Sequence, residues 1–137
     1  MAQPQDPIST LVIWEPLYVE PNSTLRTLAN RLVAEQVGAL LVDEPGSGLS
    51  IVAERDVVEA LADGADPDEV WAADVSTRAV RVARPSDSIA QVGLEMLDAD
   101  VRHIVLTEGD RVVGVVSVRD VLRPLVEAAQ TMLAANG

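Results

Sequence analysis

The chain repeats itself. PNSTLRTLANRLVAEQVGALLV (21–42) overlies PSDSIAQVGLEMLDADVRHIVL (85–106), matching Pro21 with Pro85, Leu25 with Ile89, Leu32 with Met96 and Val37 with Val101. LSIVAERDVV (49–58) then falls on VGVVSVRDVL (113–122) at the same offset of 64 residues, placing Arg55-Asp56 on Arg119-Asp120. Ahead of the two prolines the register slips by one, because LYVEP has one residue fewer than VRVARP. A repeat of this kind restricts the fold: each copy is one small supersecondary unit, too small to bury its apolar face alone, and two copies must pack together.

Each copy reads as strand, helix, strand, strand, helix. Leu17–Val19 and Val80–Val82 are short extended pieces ahead of a proline, which disfavours helix in the residue before it. Asn22 and Ser86 are the expected N-caps, and apolar positions 25, 28, 29, 32, 33 and 89, 92, 93, 96, 97 recur at helical spacing. Apolar runs at Ala39–Val42 and Ile104–Leu106 lead through DEPGSG and EGD into runs at 49–53 and 112–117, the pattern of two hairpins. Second helices are expected at Glu54–Ala62 and from Val118 onward. Between the copies, Asp66, Pro67 and Glu69 carry the cap signature of a short linking helix. Pro124 predicts a kink or a restart of the last helix, since proline removes one hydrogen bond and clashes with the preceding turn.

Composition excludes several classes of function. Of the 137 residues 48% are apolar, enough for a core. Without cysteine there is no disulfide, thiolate metal site or cysteine nucleophile. A formal charge of −12 repels polyanions, and aromatics at 2% leave no stacking platform for single strands, so nucleic acid is not an expected partner. No apolar run reaches the roughly 18 to 20 residues of a membrane span, and MAQPQDPIST lacks the features of a signal peptide; a soluble, cytoplasmic protein with no membrane partner is expected. The alanine-rich, lysine-free composition resembles that of a bacterial protein. All ten basic residues are arginine, so a local phosphate contact would use a guanidinium.

The ordered set of Pro-x-x-x-(Leu/Ile) before a helix, Val-Arg-His-Ile-Val-Leu, and Val-x-Gly-Val-Val-Ser-Val-Arg-Asp resembles a tandem pair of CBS domains, also called a Bateman module, over about Leu11 to Leu125. The resemblance implies a mixed α/β (α+β) fold of two pseudo-two-fold-related β-α-β-β-α CBS units. The expected divisions are a flexible N-terminus (1–7), a first unit (8–64), a linking helix (65–74), a second unit (75–125) and a C-terminal helix (126–137). It implies a ligand containing adenosine, such as AMP, ADP, ATP or S-adenosylmethionine, held in a cleft between the halves, with no obligatory cofactor, and assembly as a homodimer. In the family pattern an aspartate holds the ribose hydroxyls and a hydroxyl residue three positions earlier supports the ribose or phosphate. Gly114, Ser117 and Asp120 fit that pattern. In the first half Ser50 replaces the glycine and Ala53 the hydroxyl, leaving Arg55 and Asp56, so the second-half site is the preferred one.

Each candidate also has a structural explanation. Ser117 and Asp120 are spaced as a capping box, although Asp56 keeps its carboxylate where Ala53 cannot cap. Arg119 and Arg55 sit beside helix N-termini suited to phosphate, or form exposed ion pairs of little energy. His103, with Arg102, lines the cleft under the resemblance or is an ordinary structural histidine; alone it makes neither metal site nor triad. Val80 and Val82, with Arg81, offer apolar surface and backbone groups to adenine, or simply pair in a sheet. Asp63, Asp66, Asp68 and Glu69 lack calcium-loop spacing and serve capping, while Trp14 and Trp71 read as packing anchors. No catalytic residue and no metal ligand is expected. The function expected is a non-enzymatic regulatory module that signals nucleotide occupancy to a partner protein; the alternative is a ligand-free structural or interaction dimer with degenerate sites.

Overall fold

Apolar residues at helical spacing give each repeat one helix with a single buried stripe. In the computed structural model, which describes residues 2–11, 15–46 and 48–136, α1 (Leu25–Glu35) buries Leu25, Leu28 and Leu32, and α4 (Ile89–Ala99) buries Ile89, Val92 and Met96. Their N-caps are Thr24 and Ser88, two residues beyond the expected Asn22 and Ser86. Thr24 Oγ1 accepts from the Thr27 N–H at 3.2 Å. Ser88 Oγ accepts from the Gln91 N–H at 3.0 Å, and Gln91 Oε1 accepts in return from the Ser88 N–H at 3.0 Å. This reciprocal box satisfies two orphan donors together, which fixes the start at Ser88. Both helices stop at a left-handed residue, Gln36 and Asp100, whose N–H turns back to last-turn carbonyls.

Two three-stranded sheets share one topology. β1 (Tyr18–Val19) runs parallel to central β2 (Ala39–Glu44), and β3 (Gly48–Ala53) pairs antiparallel on its other side. β4 (Val82–Ala83), β5 (His103–Glu108) and β6 (Arg111–Ser117) repeat the arrangement. Leu40–Val42 and Ile104–Leu106 are buried on both faces, which accounts for their unbroken apolar runs. Tyr18 pairs with Leu41 and Val82 with Val105. The offset of 64 therefore holds through the first strands, and the slip inferred ahead of the prolines is absent, because strand pairing and not the extra valine sets the register.

The hairpins differ while keeping the count. Glu44 faces Gly48 across the first loop, with regular pairing back to Ala39 and Ala53. In the second, Glu108 faces Arg111 across Gly109-Asp110, where Gly109 has a φ of 62° that only glycine adopts without strain. A bulge then places Leu106 opposite Gly114 but Thr107 opposite Val112, so Val113 lacks a partner. The shorter loop and the extra bulged residue cancel, and His103 meets Ser117 as Ala39 meets Ala53.

α2 (Glu54–Ala62) and α5 (Val118–Asn136) follow the hairpins. α5 does not restart at Pro124; one helix runs through the proline, whose ring is buried, so the expected division between a second unit ending at 125 and a separate C-terminal helix is absent. Contacts divide the chain into residues 16–80 and residues 1–15 with 81–137. Each unit has its own apolar cluster, around Leu28, Leu40 and Val52 in one and around Ile89, Ile104 and Val116 in the other.

The leading residues are part of the later unit. Ile8, in a short 3-10 turn (Ile8–Thr10), is fully buried among Ile89, Val92 and Val121, a placement worth about 1.5–3 kcal/mol for a residue of this size. The segment after α2 plays the same part in the first unit. It forms turns at 67–69 and a single helical turn α3 (Ala72–Val75), later than the expected linking helix. Asp66 Oδ1 accepts from the Asp68 N–H at 2.9 Å, closing a turn instead of capping a helix. Ala72 is fully buried, while Trp71 is half exposed. Trp14, the other expected packing anchor, lies outside the described residues.

Candidate functional site

The candidate residues of the second half collect where β6 enters α5. Ser117 ends the strand and Asp120 sits in the first helical turn, both half-buried. Asp120 Oδ2 accepts from the Ser117 N–H at 2.8 Å, and Ser117 Oγ accepts from the Asp120 N–H at 3.2 Å. His103 pairs with Ser117 across the hairpin, and the Val118 N–H donates to the Arg102 carbonyl at 2.8 Å. Arg102, His103, Ser117 and Asp120 thus surround one strand-to-helix junction. Gly114 lies three residues up β6, buried opposite Leu106. Val82 is exposed on the edge strand beside Val105, two residues along β5 from His103. Val80 closes the other unit.

The first half has the same junction with one oxygen missing. Asp56 Oδ2 accepts from the Ala53 N–H at 2.7 Å, and the Glu54 N–H donates to the Gly38 carbonyl at 3.0 Å. Ala53 returns nothing, since it has no side-chain acceptor. The recurrence of the aspartate has its own physical cause: in both copies it satisfies the backbone N–H at the helix start and complements the helix dipole. Sequence reasoning that took Asp56 as evidence against capping overlooked this second half of the box.

Charge at the two junctions differs. Arg55 Nε pairs with Glu59 Oε1 at 3.1 Å, one turn along α2, with both side chains exposed. That is the solvated surface pair, worth about 0.3–0.5 kcal/mol. Arg119 is exposed and forms no ion pair among the described residues, which leaves its guanidinium available to an anion.

Ser50, the replacement for glycine, is buried and committed. Its hydroxyl lies 2.9 Å from Ser76 Oγ, and the Ile51 N–H donates to the Thr77 carbonyl at 3.0 Å while the Thr77 N–H returns a bond to Ile51 at 2.8 Å. Residues 76 and 77 therefore cover the open edge of β3. The only sequence signal for this was a hydroxyl at a position otherwise apolar.

Shallow hollows of about 300 Å³ and 200 Å³ lie beside the two edge strands. The first is lined by Tyr18, Val19, Glu20 and Asp43, the second by Val82, Ala83, Asp87, Gln91, Val92 and Glu95. Partial burial, assisted by the Asp43 charge, raises the Tyr18 phenol above its usual value. Among the described residues no cluster of three or more histidine, aspartate or glutamate side chains could hold a metal ion, and no helix is long and apolar enough to cross a membrane.

The CBS domain family profile matches residues 8–63 and again 72–127. Over 110 residues the chain is 32% identical to an uncharacterized 33.4 kDa protein in the ribosomal RNA operon of Thermofilum pendens, covering 80% of this chain and 36% of that one. The chain spans about a third to a half of the length of the curated relatives it matches. Among solved structures, a CBS domain protein of Pyrobaculum aerophilum complexed with AMP superposes with a TM-score of 0.75 at 25% identity, covering 90% of this chain and 98% of that one. The CBS domain pair of protein MJ0100, complexed with 5-methylthioadenosine and S-adenosyl-L-methionine, gives 0.79 at 21% identity, covering 91% and 99%. The chain belongs to the CBS domain family, as a tandem pair.

Proposed function

We propose that this tandem CBS pair is a regulatory module that binds one adenosine-containing ligand at the second-half junction and signals its occupancy to a partner protein, acting as a homodimer. The AMP complex of the Pyrobaculum aerophilum protein, similar over nearly its whole length, carries this reading most directly. The chemistry of the junction agrees with it. Asp120 uses one carboxylate oxygen on the Ser117 N–H, leaving Oδ1 to accept from vicinal ribose hydroxyls through charge-assisted bonds. Arg119, exposed and without an ion pair among the described residues, supplies a cation beside the first turn of α5, where backbone N–H groups favour phosphate. Ala53 and the Arg55–Glu59 pair make the first-half junction the poorer site.

Calorimetric titration of AMP, ADP, ATP and S-adenosylmethionine tests the proposal. Asp120→Asn keeps an oxygen for the Ser117 N–H but loses the charge, so at least one ligand should bind the wild type and weaken about 10-fold or more in the variant, the effect of a hydrogen bond to a charged group. Heat absent for all four at millimolar concentration overturns it.

The caps support a second reading, a ligand-free interaction dimer, because Asp56 and Asp120 both have a structural task already. A melting temperature unmoved by any of the four ligands distinguishes it, since a ligand of the native state raises that temperature.

A further inference from the structure

The first two N–H groups of a helix have no partner within it. In α4 they belong to Ile89 and Ala90, and residues of the leading segment supply both acceptors: Ile89 donates to the Asp6 carbonyl at 2.9 Å and Ala90 to the Pro4 carbonyl at 2.9 Å. Ile8 donates to the Asp87 carbonyl at 2.7 Å and Ser9 to the Pro85 carbonyl at 3.1 Å. Pro7 bridges Ser88, and Ile8 fills the apolar space below. Four backbone bonds and one side-chain anchor account for this docking.

Residues 67–73 do the same for α1 in the first unit. Leu25 donates to the Val70 carbonyl at 3.1 Å, Arg26 to Pro67 at 2.9 Å, Ala72 to Ser23 at 2.7 Å and Ala73 to Pro21 at 2.9 Å, with Trp71 bridging Thr24. Between the two segments Val70 replaces Asp6, Trp71 replaces Pro7 and Ala73 replaces Ser9 with their bonds kept, while the outer acceptor shifts from Pro4, two residues before Asp6, to Pro67, three residues before Val70. The flanking side chains are therefore exchangeable, and only the anchor is enclosed: Ile8 in one groove, Ala72 in the other.

We infer that the second unit carries a peptide-docking groove which residues 4–9 fill in cis, and that its ligand class is a short extended peptide with backbone carbonyls two residues apart ahead of one branched, isoleucine-sized anchor. Backbone bonding supplies affinity and the anchor pocket supplies selectivity, the division seen wherever an extended peptide pairs with an exposed backbone edge. The first unit's groove, closed around alanine, rejects the same peptide because the extra methylenes overpack it.

The full chain with Ile8→Asp, carrying a charge that cannot enter the pocket, tests this. Hydrogen exchange should show the Ile89 and Ala90 amides losing protection while amides within residues 16–80 keep theirs. A synthetic peptide of residues 2–11, added at millimolar concentration, should restore protection at Ile89 and Ala90, and the same peptide with Ile8→Asp should not. A fluorescent form of the peptide should bind wild type at least ten-fold more weakly than the variant, because the groove is already filled. Ile8→Ala, a milder change, provides the same competition measurement if Ile8→Asp unfolds the unit. Unchanged protection at Ile89 and Ala90 in both variants, or a peptide that fails to bind either, overturns the inference.

Discussion

Gln36 and Asp100 adopt the same left-handed conformation at the ends of α1 and α4, with φ of 55° and 54°. Glycine reaches this region without steric cost, and side chains other than asparagine do so poorly. Gln36→Gly and Asp100→Gly should each stabilise the protein by up to about 1 kcal/mol. Asp100→Gly should gain more, because it also removes a negative charge from the negative end of a helix dipole. Thermal or urea unfolding of the single variants provides the comparison, and a loss of stability in both would contradict it.

The incomplete cap of α2 can be completed. Ala53→Ser should place a hydroxyl where it accepts from the Asp56 N–H, as Ser117 does for Asp120, and raise stability by about 1 kcal/mol. Ser117→Ala should lower it by about the same amount. Equal and opposite shifts in urea midpoint at constant m-value are the expected outcome.

Ser50→Ala removes a buried hydroxyl from Ser76 and should cost about 1 kcal/mol. Its specific signature is local. Exchange of the Ile51 and Thr77 amides, which bond each other's residues, should accelerate more than that of β2.

Acid should release the first-unit linker before the rest of that unit. Arg26 grips Asp68 through two hydrogen bonds of 2.6 Å and 3.1 Å. The Arg26 hydrogen bond holds the Asp68 carboxyl below its ordinary value of 3.8. A depressed folded value means that this contribution is fully present above the unfolded value and lost as pH falls through the folded one. Arg26→Ala should flatten the pH dependence of melting on the acid side of 3.8, because it lowers neutral-pH stability slightly, both groups being exposed, while the two proteins converge in acid. High salt should shrink the difference.

Much of this architecture was legible because a repeat supplies its own control. Leu25 with Ile89 and Leu32 with Met96 located the helices, and the unbroken runs at 39–42 and 104–106 located the central strands. Boundaries were harder: Asn22 and Ser86 are acceptable caps by residue type, but Gln91 reaching back to Ser88 decides the start, a cooperative choice that single-residue preference does not encode. Pro124 was given too much weight, because a buried ring packed on the core offsets one lost hydrogen bond within α5. The docking of residues 4–9 left no periodic signal, since it rests on backbone groups that every sequence possesses. The aspartates were legible as a pair, but their capping task and a ribose contact call for the same carboxylate at the same place.

The leading segment has a consequence for how the protein is made. Residues 16–80 include the linker that completes their helix, so the contacts within this unit can form once residue 80 has been made. Ile8 is synthesised ahead of both units but has no pocket until Ile89, Ile104 and Val121 exist. It must wait while the intervening residues up to Val121 are made, with its apolar side chain unshielded, and closing that long loop makes the second unit the slower of the two to form. A segment made before both units is seated only once the second is complete.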